Sequence, residues 1–252
     1  MIIELNHELL GRLTETEQKI AKYINEHENE LSQMSIVDIA FSTFTSPSTI
    51  SRTIRKCGIK GFNELRYRLM QPSEDKSMVS LSEIMNKSLI EAEKLLEMIS
   101  LRDVLKVVKR IQAAKRDNHR VYVFARGLTS YVAKEFSLKL SLLGYNVLET
   151  DDPNIMKSVT RHIDSNNLAI IFSLNGTTKE LVESAANASA CGCDVITCCC
   201  SDESPLLGYS TQFLTGFKHK HISIQEYEVT SRVSLSIMSR IIIDYLVEQS
   251  KE

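Results

Sequence analysis

The residues best suited to chemistry lie in FSLNGTTKE, at positions 172 to 180, a turn rich in hydroxyl and amide groups around one glycine. The apolar run LAIIF precedes this turn and the helix-like ELVESAANASACG overlaps its end, so the turn joins a strand to a helix. Gly176 lets the backbone approach an anion, and the start of the helix supplies unpaired N–H groups. The other polar side chains of the turn and of the first helical turn are Ser173, Asn175, Thr177, Thr178 and Glu180.

A second turn of the same kind, ARGLTSYVA at positions 125 to 133, follows the apolar run VYVF. Gly127, Thr129 and Ser130 open the helix that comes after it. Because parallel strands end at one edge of a sheet, the two turns are expected to lie side by side and to hold a phosphate. The alternative is that these residues are ordinary helix caps and turn residues.

The elements that must position these turns are visible in the hydrophobic pattern. From about residue 120, apolar runs alternate with helix-like segments, and the runs are VYVFA, YNVLE, LAIIF, DVITCCC and TQFLTG. Strands that are apolar throughout and separated by helices indicate a parallel sheet covered on both faces. The last helix is expected to run from Ile224 to Gln249.

The first part of the chain has a different pattern. Between residues 13 and 70, apolar residues recur at intervals of three and four, as in short helices. The clearest of them is PSTISRTIRKCG, in which Ser46 is a suitable N-cap, Pro47 suits the first helical position and Gly58 follows the end. Its apolar side chains fall on one face, and the preceding SIVDIAFST is spaced from it as in a helix-turn-helix.

Local charge favours a nucleic-acid partner for this helical part. Residues 47 to 70 contain Glu64 as their one acid, against the basic side chains of Arg52, Arg55, Lys56, Lys60, Arg66 and Arg68. A basic cluster beside an outward helix face is typical of a DNA-binding domain. The alternative is a helical protein-docking module, whose binding would lack the steep salt dependence of phosphate contacts.

Composition excludes several other classes of protein. The 252 residues are 43% hydrophobic, which is enough apolar material for one large or two modest domains. The net charge of −2 is not that of a polycation. No stretch approaches the roughly 18 apolar residues of a membrane span, and the first residues do not resemble a secretory leader. We therefore expect a cytoplasmic protein without a membrane partner. The crowded cysteines in CGCDVITCCC suit a buried strand better than a disulfide scaffold or zinc site.

The second half of the chain, from about residue 110 to 250, resembles a sugar isomerase (SIS) domain. The phosphate loop of that family, Ser-x-Ser-Gly-x-Thr-x-Glu, is matched at Ser173, Asn175, Gly176, Thr178 and Glu180. Its earlier loop, Gly-x-Gly-x-Ser-x-x-x-Ala, is matched at Ala125, Gly127, Thr129 and Ala133. Ala125, Thr129 and Asn175 replace a glycine and two serines, which bears on the choice of sugar more than on phosphate binding.

Residues 13 to 70 are similar to the helix-turn-helix of the RpiR family of bacterial transcriptional regulators, in which that domain precedes a SIS domain. The segment IKGFNELRYRLMQ matches the family's stretch after the recognition helix. The resemblance implies an all-α helix-turn-helix domain at 1–76, linker helices at 77–110 and an α/β SIS domain at 111–252. The SIS domain is expected to contain a five-stranded parallel, flavodoxin-like sheet flanked by helices.

The function implied by the resemblance is transcriptional regulation of sugar metabolism rather than catalysis. The protein would bind a double-stranded DNA operator as a homodimer or dimer of dimers and respond to a phosphosugar, with no metal or other cofactor. The residues expected to hold the effector are Gly127, Thr129, Ser130, Ser173, Asn175, Gly176, Thr177, Thr178 and Glu180. The residues expected to contact DNA are Ser46, Ser48, Thr49, Ser51, Arg52, Arg55, Lys56 and Lys60.

The chief alternative is a phosphosugar isomerase, because SIS domains also occur in such enzymes. Isomerisation needs a base beside the acidic C–H of the sugar. Glu180 lies on a suitable helix, and His219, His221 or Glu226 could approach from elsewhere in the fold. A helix-turn-helix would serve an isomerase no evident purpose, which favours regulation.

Overall fold

The structure is a computed structural model that describes residues 2–69 and 76–250. The chain divides into two compact units that adjoin in sequence at Lys87 and Ser88. This division falls inside the 77–110 segment that the sequence assigns to linker helices. The proline, charges and serines of QPSEDKSMVS, at 71–80, are typical of a linker. Its first five residues lie outside the described residues, and its last five begin a helix.

The described residues of the N-terminal unit form helices, as the hydrophobic pattern predicts. The helices are α1 (His7–Arg12), α2 (Glu15–Glu26), α3 (Glu28–Leu31), α4 (Ile36–Ser42), α5 (Pro47–Lys56) and α6 (Phe62–Leu69), followed by α7 (Lys76–Met98), which continues into the second unit. The short helices α1 and α3 were not apparent from the sequence. A single core joins α1 to α6, and it includes Ile20, Ile24, Ile39, Ile50, Ile54 and Leu65, all fully buried.

Helix α5 forms because the residues that cap its two ends and the apolar face between them specify the same segment. The Ser46 side chain accepts a hydrogen bond from Thr49 N at 3.2 Å, and Pro47 occupies the first turn, where a missing N–H costs nothing. Beyond the helix, Gly58 takes φ +82°, a conformation that ends the helix with little strain. Burial of Ile50 and Ile54 leaves Arg52 and Arg55 exposed on the opposite side.

An ion pair between a buried carboxylate and an exposed lysine fixes α5 against α2. Glu17 is only 5% exposed, and its carboxylate lies 2.7 Å from Lys56 Nζ. Glu17 also accepts a hydrogen bond from Thr14 N at 2.9 Å, which completes a capping box at the start of α2. The hydrogen bond from Lys56, followed by that from Thr14, outweighs burial and lowers the pKa of Glu17.

The C-terminal unit is an α/β layer structure whose sheet order is β2-β1-β3-β4-β5, with all strands parallel, which confirms the flavodoxin-like prediction. The strands are β1 (Arg120–Phe124), β2 (Val147–Thr150), β3 (Asn167–Ser173), β4 (Asp194–Cys199) and β5 (Gln212–Thr215). The helices are α8 (Leu101–Arg116), α9 (Thr129–Leu142), α10 (Pro153–Thr160), α11 (Lys179–Ala190) and α12 (Val233–Gln249). None of the described helices is long and apolar enough to cross a membrane.

Separate cores cover the two faces of the sheet. On one face α8, α9 and α12 bury a cluster in which the rings of Phe136 and Phe172 meet edge to face, with their centroids 5.2 Å apart. On the other face α11 buries Leu181 against Phe124 and Ile171 of the strands. Because both faces are covered, the loops that remain accessible for binding lie at the strand ends.

Cysteines in and just after β4 are buried, and Cys198 and Cys200 belong to the core under α8, α9 and α12. Cys198, Cys199 and Cys200 are buried, and none of the cysteines forms a disulfide. Burial raises the pKa of Cys200 to about 12, so its thiol is protonated at neutral pH. These side chains therefore act as small apolar groups.

The predicted last helix is wrong over its first nine residues. Helix α12 begins at Val233, and the preceding segment is a hairpin of β6 (Ser223–Ile224) and β7 (Tyr227–Glu228). Gln225 and Glu226, which favour helices, instead take positive φ at the hairpin turn. The hairpin is closed by hydrogen bonds from Val229 N to Ile222 O and from Ile222 N to Thr230 Oγ1, at 2.8 and 3.0 Å.

We predict that Glu17→Gln lowers the stability of the protein at pH 7 by about 1–2 kcal/mol, because the charge-assisted bond to Lys56 is lost. The folded-state pKa of Glu17 is lowered, so its contribution is complete above the unfolded-state pKa of about 4.3 and is lost as the pH falls through the folded value. Urea unfolding of both forms at pH 7 and at pH 3 to 4 checks this.

The matched control is Glu15→Gln, which neutralises an exposed carboxylate on the same helix and should change stability little. If the two variants lose the same stability, or if the Glu17→Gln deficit does not shrink in acid, the ion pair does not stabilise α5.

Candidate functional site

The two turns singled out in the sequence form opposite walls of one cleft at the carboxyl edge of the sheet. The cleft has a volume of about 230 Å³. Its lining residues are Arg126, Gly127, Leu128, Thr129, Ser173, Leu174, Asn175, Thr178, Leu181, Tyr227, Glu228 and Arg232. Strands β1 and β3 are hydrogen-bonded neighbours, which is why the loops that follow them meet.

The loop after β3 is held by two serine hydroxyls. Gly176 N donates to Ser173 Oγ at 3.0 Å, and Ser204 Oγ donates to Gly176 O at 3.0 Å. Ser173 is only 3% exposed and lines the cleft. Since its oxygen accepts the Gly176 N–H, its own hydroxyl proton is left to donate to a ligand.

Gly176 is required by both conformation and space. Its φ is +69°, and a Cβ at this position would lie 2.5 Å from Ser204 Cβ and closer still to Ser204 Oγ. Any side chain here would push the loop away from the Ser204 hydroxyl that holds it. The single glycine of the turn is therefore a condition of the loop's shape.

The helices that start at the cleft have no side-chain caps. Neither Leu128 before α9 nor Thr178 before α11 makes a capping hydrogen bond, whereas Ser100 caps α8 and Asp152 caps α10. At α9 the N–H groups of Ser130 and Tyr131 donate to the carbonyls of Gly127 and Leu128, at 3.0 and 3.3 Å. The first N–H groups of α11 and the positive dipole ends of both helices are thus left for another acceptor. Such helix starts are favourable sites for phosphate groups.

The loop after β1 contributes a cation. Arg126 lines the cleft and donates a hydrogen bond to the backbone carbonyl of Asp151. Gly127 takes φ +57°, and the Tyr227 hydroxyl lies 3.6 Å from where a Cβ would be. Ala125, which stands where the loop of the resembling family has a glycine, is fully buried.

The hairpin and the start of α12 close the cleft with an ion pair. Arg232 bonds to Glu228 and lies 3.4 Å from Thr129 Oγ1 through its Nε. Burial of Glu228 opposes its ionisation, but the hydrogen bonds from Thr230 and Arg232 prevail and lower its pKa. The pair therefore adds little net charge, and Arg126 adds a positive one.

The predicted effector residues fall into two groups. Gly127, Thr129, Ser173, Asn175 and Thr178 line the cleft. The others do not line it. Ser130 lines an adjacent depression, and Gly176 is buried within the loop after β3. Thr177 is exposed, and Glu180 is half-buried in the first turn of α11.

Sequence reasoning missed the side of the cleft formed by Tyr227, Glu228 and Arg232. These residues follow Gly176 by about fifty positions, and the sequence predicts them inside the last helix, Ile224 to Gln249. The short apolar–polar alternation of Ile222, Ser223 and Ile224 was the available signal for a strand here.

The side chains considered for isomerase chemistry are not gathered at the cleft. His221 is exposed and bonds to Ser223 at 2.6 Å, and Glu226 is exposed at the hairpin turn. His219 packs edge to face against Phe217. Histidine is absent from the lining of the cleft among the residues that the structure describes.

A second candidate site is the outward face of α5. Ser48, Ser51, Arg52, Arg55 and Lys56 line one shallow depression there. The other predicted DNA-contacting residues lie close by in sequence: Ser46 and Lys60 are exposed, and Thr49 is half-buried. The depression carries three basic side chains, which suits a polyanion.

The basic residues around α5 differ in how their charges are used. Lys56 is bound to Glu17, and Arg68 is bound to Glu64. Arg66 donates to Met34 O at 2.9 Å and lies over the ring of Phe62. Arg52 and Arg55 form no ion pair with any residue that the structure describes, so the free charge of this face is concentrated on them.

Comparison with known proteins matches both parts of the chain to family models. The model of the helix-turn-helix domain, rpiR family, matches residues 4–76, and the model of the SIS domain matches residues 116–240. An uncharacterized HTH-type transcriptional regulator of Caldanaerobacter subterraneus is 23% identical over 218 residues, which are 81% of this chain and 76% of that protein.

Solved structures share the fold. The Vibrio vulnificus NanR protein complexed with ManNAc-6P has a TM-score of 0.58 at 20% identity and covers 96% of this chain and 91% of its own. The phosphoheptose isomerase GmhA from Neisseria gonorrhoeae has a TM-score of 0.58 at 11% identity and covers 69% of this chain and 100% of its own. The fold is therefore common to this chain, the NanR protein and a phosphoheptose isomerase.

We predict that Gly176→Ala is more destabilising than Gly192→Ala. Both glycines have positive φ, at +69° and +75°, but a Cβ at Gly192 meets nothing within 4 Å. Each substitution carries a conformational cost of about 1 kcal/mol, and only Gly176→Ala adds the collision with Ser204. Melting temperatures of the two variants measure the difference; equal values would mean that the loop is not held against Ser204.

Proposed function

We propose that this chain, which belongs to the RpiR family of helix-turn-helix transcriptional regulators with a SIS domain, regulates sugar metabolism in response to a phosphosugar bound in the cleft. The observation that carries this proposal is the pairing of two uncapped helix starts, at α9 and α11, across a cleft lined by Ser173 and Thr178. Unpaired N–H groups and hydroxyl donors are the groups that bind a phosphate monoester.

The cleft also has a suitable charge and size for such a ligand. Arg126 provides a positive charge, whereas Arg232 is largely neutralised by Glu228. A volume of about 230 Å³ suits the phosphate and part of a sugar better than a large cofactor. The similar NanR structure contains ManNAc-6P, which supports the choice of ligand class.

The operator would be contacted by the outward face of α5. Arg52 and Arg55 are exposed, and Ser48 and Thr49 lie at the start of the helix, where a recognition helix meets base edges. Lys56 lies on the same face, but Glu17 holds its ammonium, so it should add less to phosphate contacts than Arg52. Lys60 and Ser46 would meet the DNA backbone.

A regulator of this kind would act as a homodimer or a dimer of dimers in the cytoplasm. A two-fold dimer needs a palindromic operator, with half-sites about 10 base pairs apart or a multiple of that spacing. The phosphosugar changes DNA affinity only by binding unequally to the DNA-competent and DNA-incompetent arrangements.

We propose that the protein does not isomerise its ligand. The cleft-lining carboxylate is Glu228, which bonds to Arg232 and has a lowered pKa, and this makes it a weak base. Glu180 lies outside the lining and can instead favour the dipole of α11 from its first turn. The effector is the only small molecule that this function requires.

We predict that one phosphosugar raises the melting temperature of the protein and that its unphosphorylated parent does not. At a concentration of 100 times Kd, such a ligand stabilises the folded state by about 2.7 kcal/mol. A panel of hexose and amino-sugar phosphates that includes ManNAc-6P, measured by thermal unfolding, checks this. Ser173→Ala should abolish the shift, and Ser158→Ala, an exposed serine on α10, should retain it.

Two results would contradict this account. A panel without any shift would leave the cleft without a phosphosugar, and deuterium entering C2 of the bound sugar in D₂O would show isomerase chemistry.

We predict that Arg52→Ala weakens binding to a non-specific 20-base-pair duplex and reduces the slope of log K against log salt by about 1. Fluorescence anisotropy at several salt concentrations measures the slope. The control is Lys157→Ala, which removes an exposed charge from α10 and should leave the slope unchanged. Equal slopes for the wild type and Arg52→Ala would mean that α5 does not face DNA.

A further inference from the structure

We propose that Lys218 is a positioning residue for anion binding, which acts by orienting the side-chain amide of Asn175 toward the cleft. This inference rests on the proposed function, because it concerns the same cleft. It adds a residue from the segment after β5 to a site that the sequence placed in the loops after β1 and β3.

The direction of the hydrogen bond determines the orientation of the amide. Lys218 Nζ bonds to Asn175 Oδ1. A lysine ammonium can only donate hydrogen bonds, so it must face the amide oxygen and cannot face the amide nitrogen. The NH₂ group of Asn175, which carries two donors, is therefore directed away from Lys218, and Asn175 lines the cleft.

The backbone that carries Lys218 is firmly held. Ser234 Oγ donates to Phe217 O at 2.5 Å, and the Phe217 ring lies 4.4 Å below Lys94 Nζ. At Gly216 a Cβ would come within 3.0 Å of Leu95 Cδ1, so the chain passes through a closely packed site. Because its backbone is fixed, the Lys218 side chain approaches Asn175 from one defined position, and ordering that side chain costs only its own rotamer entropy.

The charge of Lys218 also suits this role. It is half-buried, and no Asp or Glu carboxylate that the structure describes forms an ion pair with it. By donating to Asn175 Oδ1 it polarises the amide, so the NH₂ group becomes a stronger donor to an anion. Without Lys218 the amide could turn its oxygen to the cleft, and an oxygen would repel phosphate.

The test is a double-mutant cycle with inorganic phosphate as the probe. The wild type, Lys218→Met, Asn175→Ser and the double variant are titrated with phosphate, and the backbone amide shift of Gly176 is followed by NMR. Serine is chosen because its hydroxyl can donate without an amide orientation to be fixed. Lys220→Met, an exposed lysine two residues later, is the matched control.

We expect Lys218→Met to weaken phosphate binding about five- to tenfold in the wild-type background and less than twofold in the Asn175→Ser background. Lys218→Arg, which keeps a donor and a charge, should retain most of the affinity. Melting temperatures of all variants show whether each one is folded.

Three outcomes would overturn the inference in distinguishable ways. Equal losses in both backgrounds would mean that Lys218 acts on the anion directly and not through Asn175. No loss on Lys218→Met, or a loss equal to that of Lys220→Met, would mean that Lys218 has no role. If phosphate does not bind the wild type, the proposed phosphate site itself fails.

Discussion

The shape of the loop after β3 depends on the absence of a side chain at residue 176. Gly176 lies so close to Ser204 that its carbonyl accepts the Ser204 hydroxyl, while its N–H is bound by Ser173. These two bonds tie the end of β3 to the segment after β4. They satisfy the N–H and carbonyl groups of Gly176 inside the loop. The hydroxyl proton of Ser173, the first turn of α11 and the Asn175 side chain remain available to the cleft.

The rest of the cleft is built around this loop by the order of the sheet. Because β1 and β3 are adjacent, the start of α9 lies beside the start of α11, and both are left without side-chain caps. The hairpin then brings Tyr227 and Glu228 over the opening, and Arg232 ties Glu228 to Thr129. The cleft thus collects donors and positive charge while its carboxylate is neutralised, which favours binding an anion over removing a proton from it.

The sheet and the loops that follow it could be predicted because strand periodicity and turn chemistry act locally. The same holds for α5, where Ser46, Pro47 and Gly58 mark both ends. The hairpin could not be predicted, because Gln225 and Glu226 favour helices and take positive φ only when the hairpin forms. The bonds from Lys56 to Glu17 and from Lys218 to Asn175 join residues about forty positions apart, and a periodic pattern carries no information on such pairs.

The central claim is that a phosphosugar in the cleft controls DNA binding, and its most direct test is the DNA affinity of the full chain with and without that ligand. DNA fragments bound by the protein are first selected from a random pool, and Kd for the best fragment is measured with the phosphosugar and with its unphosphorylated parent. The account predicts a change of about fivefold or more with the phosphosugar alone, in either direction. An unchanged Kd while the phosphosugar is bound would show that the cleft and the operator are not coupled.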